Sequence, residues 1–298
     1  MINIKTSLFL KITSSILFLF SAMIWKKVLK EGTQNYHFIF YRVITTVLVL
    51  LPLPLLVNLF IPNNQYFNYK IPNDIHFMDW IVAIAIGLFS FWGLYYYTKA
   101  LQSGRFVFVA PLATISSAFS ICTSIVLYNE DLSSTKTISL FLILGGLLFH
   151  QKDQLINFKF SKEVVLIVLF SLIWGISFVL YLIPIKKFGT LNFSILLEGC
   201  VLLSCVGLLL FHEKRIVPNK TSIQNLGWCF LMGIVVAFGS LLSNFSLTQF
   251  SVSFNILLGL AFEIIIITVG LFVYRERLSK NDWILITFAS LGGFLMLL

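Results

Sequence analysis

The sequence predicts an all-α integral membrane protein of ten transmembrane helices, arranged as two inverted five-helix repeats. Three observations carry this. Of 298 residues, 58% are hydrophobic and only 11% charged, where a soluble domain carries about 25% charged residues. Ten apolar runs follow one another, most of them near the ~20 residues a bilayer-spanning helix needs. The second half of the chain also repeats the first at a fixed offset. With a mean hydropathy of +0.95, the chain lacks the polar groups to cover itself in water, so a water-soluble enzyme is excluded. The net charge of +9 comes from 21 Lys and Arg against 12 Asp and Glu. These cations are scattered rather than gathered into a phosphate-tracking patch, which argues against nucleic acid as a partner. The lipid bilayer is the partner the composition requires.

The runs fall at 7–25, 37–60, 79–98, 106–128, 136–150, 164–183, 192–211, 225–248, 251–273 and 282–298. The first has a basic start but no convincing cleavage site, and reads as a retained helix rather than a signal peptide. The fifth and tenth are short and carry Gly145-Gly146 and Gly292-Gly293, a pattern for close helix packing. The longest connection, IPNNQYFNYKIPNDIHFMD, holds Pro, Asn and Asp and reads as a surface loop. All four cysteines lie in apolar runs, with no CxxC, and are expected to be buried small hydrophobes.

A shift of 146 residues lays the third to fifth runs on the eighth to tenth without a gap. Gly87 meets Gly233, Gly93 meets Gly239, Leu101 meets Leu247, and YNEDLSS (128–134) meets YRERLSK (274–280). EGTQN near 32 sits against FGTLN near 189 at a different offset. The expected domains are 1–150 and 151–298. Five helices per half force the second half to enter the membrane from the opposite side, an arrangement of many secondary transporters, whose site lies near the midplane between the halves.

An Arg early in the second run (FYRVITTVLVLL), a Gly-rich third run, the YTKALQSG connection, and a fourth run opening with Ala110-Pro111 and ending in a Glu-containing turn together resemble the EamA-type drug/metabolite transporter family. The resemblance covers nearly the whole chain. It implies a ten-helix carrier of small metabolites, often an exporter of amino acids or related compounds. The second half departs from the pattern where Leu257 replaces the Pro and Ser246 replaces the Ala of the Ala-Leu pair.

Orientation draws two opposite answers. Six loop cations (Lys5, Lys11, Lys70, Lys136, Lys186, Lys187) fall on the N-terminal side against fourteen on the other. The positive-inside rule then puts both termini outside; the family resemblance implies cytoplasmic termini.

Charged side chains within spans are costly, about +2.5 to +3.5 kcal/mol at a helix centre on insertion scales, and are functional-site candidates for that reason. Glu263 lies mid-helix in FNILLGLAFEIIIITVGLF, with Asn255, Gly259 and Gly270 on its face. It reads either as a proton-titrating or amine-binding carboxylate, or as a protonated group bonded between helices. The equivalent face of the fourth run holds Ala113, Ser117 and Ser124. Arg42 and Glu198 each lie ~9 Å inside their helices, where a long side chain can still reach the interface. Within one position they are repeat partners. Arg42 is a candidate for a substrate carboxylate or for pairing with a helix carboxylate; both residues also fit an anchoring role. Trp92, Tyr95, Tyr96 and Tyr97 stack within two turns, as an interfacial belt or an aromatic wall for substrate. Asn244 continues a Gly233, Ala237, Ser240 stripe, as a cavity donor or interhelical glue. Trp174, read as standing at the start of the sixth helix, either caps the site or marks a lipid boundary.

His37, His76, His150 and His212 lie at span ends or loops, and neither HExxH nor GxxxxGK[ST] occurs. Catalytic residues, metal and cofactor are therefore all expected to be none, and transport must run on a gradient. The reading is a secondary transporter, an exporter of small metabolites in a bacterial inner membrane, with protons as the candidate coupling ion and monomer and homodimer both open. A membrane-embedded enzyme on a lipid-like substrate would want clustered Asp, His or Arg at one membrane face; a channel would not need a midplane Glu to titrate.

Overall fold

The computed structural model describes residues 4–29, 34–60, 74–103, 115–130, 133–150, 162–218, 223–256, 259 and 279–297. In chain order the helices are α1 (Ile4–Val28), α2 (Asn35–Leu50), α3 (Leu53–Phe60), α4 (Phe77–Ser103), α5 (Ile115–Tyr128), α6 (Ser134–His150), α7 (Lys162–Leu180), α8 (Leu182–Phe188), α9 (Thr190–Glu213) and α10 (Ile223–Gln249). A helix α11 follows, described over 252–256, and α12 (Lys280–Leu297) closes the chain. Each of the ten expected runs meets helix. Six stretches are long and apolar enough to cross a membrane by length and composition. Large apolar side chains face outward, Phe211 at 81% exposure among them, the reverse of a soluble surface.

Two runs are longer or more broken than their pattern implied, and proline is the cause. At Pro52 the backbone has no donor, so the chain takes a turn at Leu51–Pro52 and α3 restarts the helix, Leu56 N–H donating to Pro52 O. Pro184 likewise withdraws a bond from Leu180 O, and the helix breaks at Tyr181 before continuing as α8 to Phe188 rather than stopping at 183. Gly189 of the FGTLN segment then joins α8 directly to α9 at φ 80° and ψ 160°, a backbone conformation essentially confined to glycine.

The chain packs as two compact units. One comprises Met1–Trp92 and Leu180–Phe250, the other Gly93–Val179 and Ser251–Leu298. Each draws helices from both halves of the sequence. The repeat-matched glycines explain why. A Cβ on Gly87 of α4 would lie 2.8 Å from Cys200 of α9; one on Gly233 of α10 would lie 2.5 Å from the Thr45 Cβ and 2.7 Å from Arg42 O of α2. Gly93 of α4 meets Ile173 and Trp174 of α7, while Gly239 meets Leu17 and Phe18 of α1. The third helix of the first half thus packs on helices of the second half, and its repeat partner packs on helices of the first. Missing side chains at these four positions let the backbones approach.

Within the first unit α1 and α10 run antiparallel. Ser14 Oγ donates to Gly239 O at 2.7 Å, and the Lys27 ammonium lies 3.9 Å over the Trp228 ring. Thr46 Oγ1 donates to both Arg42 O and Gly233 O, each at 3.0 Å. In the second unit Ser120 Oγ donates to Gly175 O at 3.0 Å, joining α5 to α7. Of the Gly145-Gly146 pair, Gly146 packs on Phe288 of α12, while a Cβ on Gly145 would meet no described atom within 4 Å.

Three sequence expectations need correction or fall outside the described residues. Cys122 is exposed on α5, whereas Cys200, Cys205 and Cys229 are buried as expected. Lys11, expected as a loop cation, lies inside α1 and is 5% exposed; Lys5, Lys136, Lys186 and Lys187 also lie within helices, α1, α6 and α8, and Lys70 lies outside the described residues. The YRERLSK segment from 274 to 278, Ala110-Pro111, Ala113, Leu257, Gly270 and most of the long connection lie outside the described residues.

Gly233→Ala and Gly175→Ala are expected to destabilise the protein by about 1–3 kcal/mol each through overpacking. Gly207→Ala, whose Cβ meets no described atom within 4 Å, is expected to leave stability unchanged or slightly raised. Thermal unfolding of the detergent-solubilised protein reads the difference.

Candidate functional site

The strongest polar constellation lies in the first unit. On α9, Thr190, Ser194 and Glu198 recur every four residues and form one stripe. Ser194 Oγ donates back to Thr190 O at 2.8 Å and accepts from Asn244 Nδ2 of α10 at 3.0 Å. One turn on, Glu198 Oε2 accepts from Arg42 Nη1 of α2 at 2.5 Å. Arg42 is 3% exposed and Glu198 5%, so neither side chain snorkels to an interface. Arg42 thus pairs with a helix carboxylate in this structure.

Burying either charge alone would cost several kcal/mol; attraction at close range offsets much of that only when both are present. The pairing is nevertheless incomplete. Arg42 Nε is buried and has no hydrogen-bond partner among the described residues. A guanidinium presents five donors in a planar fork that can take a second carboxylate. The guanidinium thus keeps a buried donor beyond the one that Glu198 takes.

Other polar groups line the same unit. Lys11 shares the buried face of α1 with Ser7, Ser14 and Ser15, a serine stripe at helical spacing that would have flagged it in the sequence. Tyr181 Oη donates to Ser90 Oγ of α4 at 2.9 Å. At the α2 N-terminus, Tyr36 Oη donates to Glu213 Oε1 at 2.9 Å, and the His37 ring contacts the same oxygen. Trp92 lies against Phe91 and is 41% exposed.

The second unit holds the remaining candidates. Tyr97 and Trp174 are joined through Phe170, with ring centroids 4.9 Å and 5.9 Å apart. Trp174 lies mid-way along α7 (Lys162–Leu180) and not at its start; its ring backs Gly93. Ser117 is buried on α5, and no described hydrogen bond joins it to another candidate. Asn255 is buried in the first turn of α11, its Nδ2 donating to Ser251 O at 3.2 Å. Glu263 lies outside the described residues. Among the described residues no group of three or more His, Cys, Asp or Glu is arranged to hold a metal.

The model of the EamA-like transporter family matches the chain twice, over residues 5–150 and 161–298. The chain belongs to the EamA-like transporter family. It is a multi-pass membrane transporter of the drug/metabolite superfamily, with a small-molecule substrate and a bilayer context. The two matches fall on the two sequence repeats. A protein known from its crystal structure is similar at 14% identity over 99% of this chain and 98% of that chain, with a TM-score of 0.65, a likeness that shows the fold alone. No curated protein matches the chain.

If the Arg42–Glu198 pair acts as a mutually neutralising unit, Arg42→Met alone costs about 3–5 kcal/mol by stranding a buried carboxylate, and Arg42→Met with Glu198→Leu recovers most of that loss. Thermal unfolding of the single and double variants checks it; equal losses in both would contradict the pairing argument.

Proposed function

We propose that this EamA-family protein is a gradient-driven exporter of small zwitterionic metabolites, amino acids or close relatives, across a bacterial inner membrane by alternating access. The observation that carries the reading is the buried Arg42–Glu198 pair, with Arg42 Nε left without a partner among the described residues. A zwitterion can enter such a pair without bringing net charge into a low-dielectric interior. Its carboxylate takes the guanidinium fork and its ammonium takes the Glu198 carboxylate, while the two protein charges separate. Each charge keeps a counter-charge throughout, which avoids the desolvation penalty that would oppose an ion of single sign.

Asn244 and Ser194, one turn along the same face, supply hydrogen-bonding groups for the body of the substrate. Glu263 is the proposed coupling carboxylate, protonated in one conformation and releasing its proton in the other. Tyr97, Trp174, Ser117 and Asn255 are proposed to line the route in the second unit, and Trp92 has the weakest claim because it faces outward. The wide apolar surface and the family membership support a bilayer-embedded carrier.

Counterflow in proteoliposomes with pooled labelled amino acids and related metabolites, at two pH values, tests this reading. The wild type is expected to show saturable, pH-sensitive uptake. The Arg42→Met, Glu198→Leu double variant is expected to lose it while staying folded, and Glu263→Gln to lose its pH dependence. Equal flux in all three proteins would remove the proposed site; no flux for any pooled compound would remove the substrate class.

A further inference from the structure

Glu130 belongs to the YNEDLSS motif that recurs in the second half, yet the transport reading leaves it without a task. Its surroundings are specific. α5 ends at Tyr128, whose hydroxyl donates to Val179 O of α7 at 3.1 Å. Asn129 follows at φ 50°, the left-handed region that Asn enters more readily than most side chains. That turn carries the Glu130 carboxylate to the start of α11, where Oε1 accepts from Val252 N–H and Oε2 from Ser253 N–H, both at 3.1 Å. The Ser253 hydroxyl also meets Oε2. Phe254 N–H donates to Ser251 Oγ at 3.3 Å.

Three successive amides at a helix start, which have no partner within the helix, are thereby held by side chains. A carboxylate is the best acceptor for two of them, since both the charge-assisted bonds and the helix dipole favour a negative group there. Asn255 follows one residue later, its own N–H donating to Ser251 O at 3.1 Å.

We propose that Glu130 is a positioning residue for transport: its carboxylate fixes the first turn of α11 and so holds the buried Asn255 carboxamide in place. The role of Asn255 rests on the transport reading above; the clasp itself does not. The recurrence of Glu in the second half, as Glu276, points to a motif kept for its carboxylate. Glu276 lies outside the described residues.

Hydrogen–deuterium exchange on the full-length protein in lipid nanodiscs, with Glu130→Ala and Glu130→Gln beside the wild type, reads the clasp without needing a substrate. Exchange at Val252 and Ser253 is expected to accelerate about ten- to a hundredfold in the Ala variant. The Gln variant, which keeps one acceptor oxygen, is expected to fall between, and the α7 amides to stay unchanged. Counterflow on the same samples is expected to show the apparent KM raised about tenfold in the Ala variant, less in the Gln variant, with the maximal rate kept. Unchanged exchange at Val252 and Ser253 overturns the clasp. Faster exchange with an unchanged KM overturns the positioning role. A wild type that moves none of the pooled compounds counts against the transport reading instead, and the exchange data then decide the clasp alone. Should the Ala variant not insert, the Gln variant decides both.

Discussion

Neither Arg42 nor Glu198 can lie inside an apolar helical bundle without the other. Each carries a desolvation penalty that only a close opposite charge offsets, and this pair, at 2.5 Å, draws α2 and α9 together. The close approach of α10 to α2 follows beside it, since Gly233 lies against Arg42 O and Thr45. Thr46 bonds across to the same glycine's carbonyl, and Asn244 of α10 bonds to Ser194 one turn from Glu198. Three polar contacts thus cross-link three helices where apolar packing alone, with lipid as the competing solvent, gives little drive to associate.

The inverted repeat acts through matched small residues. Gly87 and Gly233 each admit a helix of the opposite half, as do Gly93 and Gly239. Because the partners are exchanged between halves, each compact unit contains helices from both. The repeat is therefore a unit of sequence, and the bundle is the unit of packing. The Glu130 clasp obeys the same logic, joining the end of α5 in the first half to the start of α11 in the second.

Much of the fold was legible because bilayer thickness imposes one length on every span and backbone satisfaction imposes one conformation. What periodicity could not give were the breaks at Pro52 and Pro184, where the lost donor matters more than the hydropathy around it. The site was legible in part. Arg42 and Glu198 stood out as charges in apolar runs, but their depth was read from helix boundaries alone, which do not show that the side chains turn inward to each other. Trp174 was misplaced although the run limits 164–183 already put it mid-span, as the helix Lys162–Leu180 does. Lys11 was missed because it was counted with the loop cations, although the first run, 7–25, contains it and Ser7, Ser14 and Ser15 mark the buried face it shares. Glu263, the clearest charge in the sequence, lies outside the described residues.

The central claim is that one guanidinium and one carboxylate, paired at rest, open to take the two charges of a single substrate. Calorimetric binding of an amino acid that the protein transports, beside its carboxamide and its N-acetyl derivative, tests this most directly. The account predicts that each single-charge analogue binds at least about tenfold more weakly than the parent, a loss of ~1.4 kcal/mol or more, and that the Arg42→Met, Glu198→Leu variant no longer distinguishes the three. Equal affinity of the wild type for all three would contradict it.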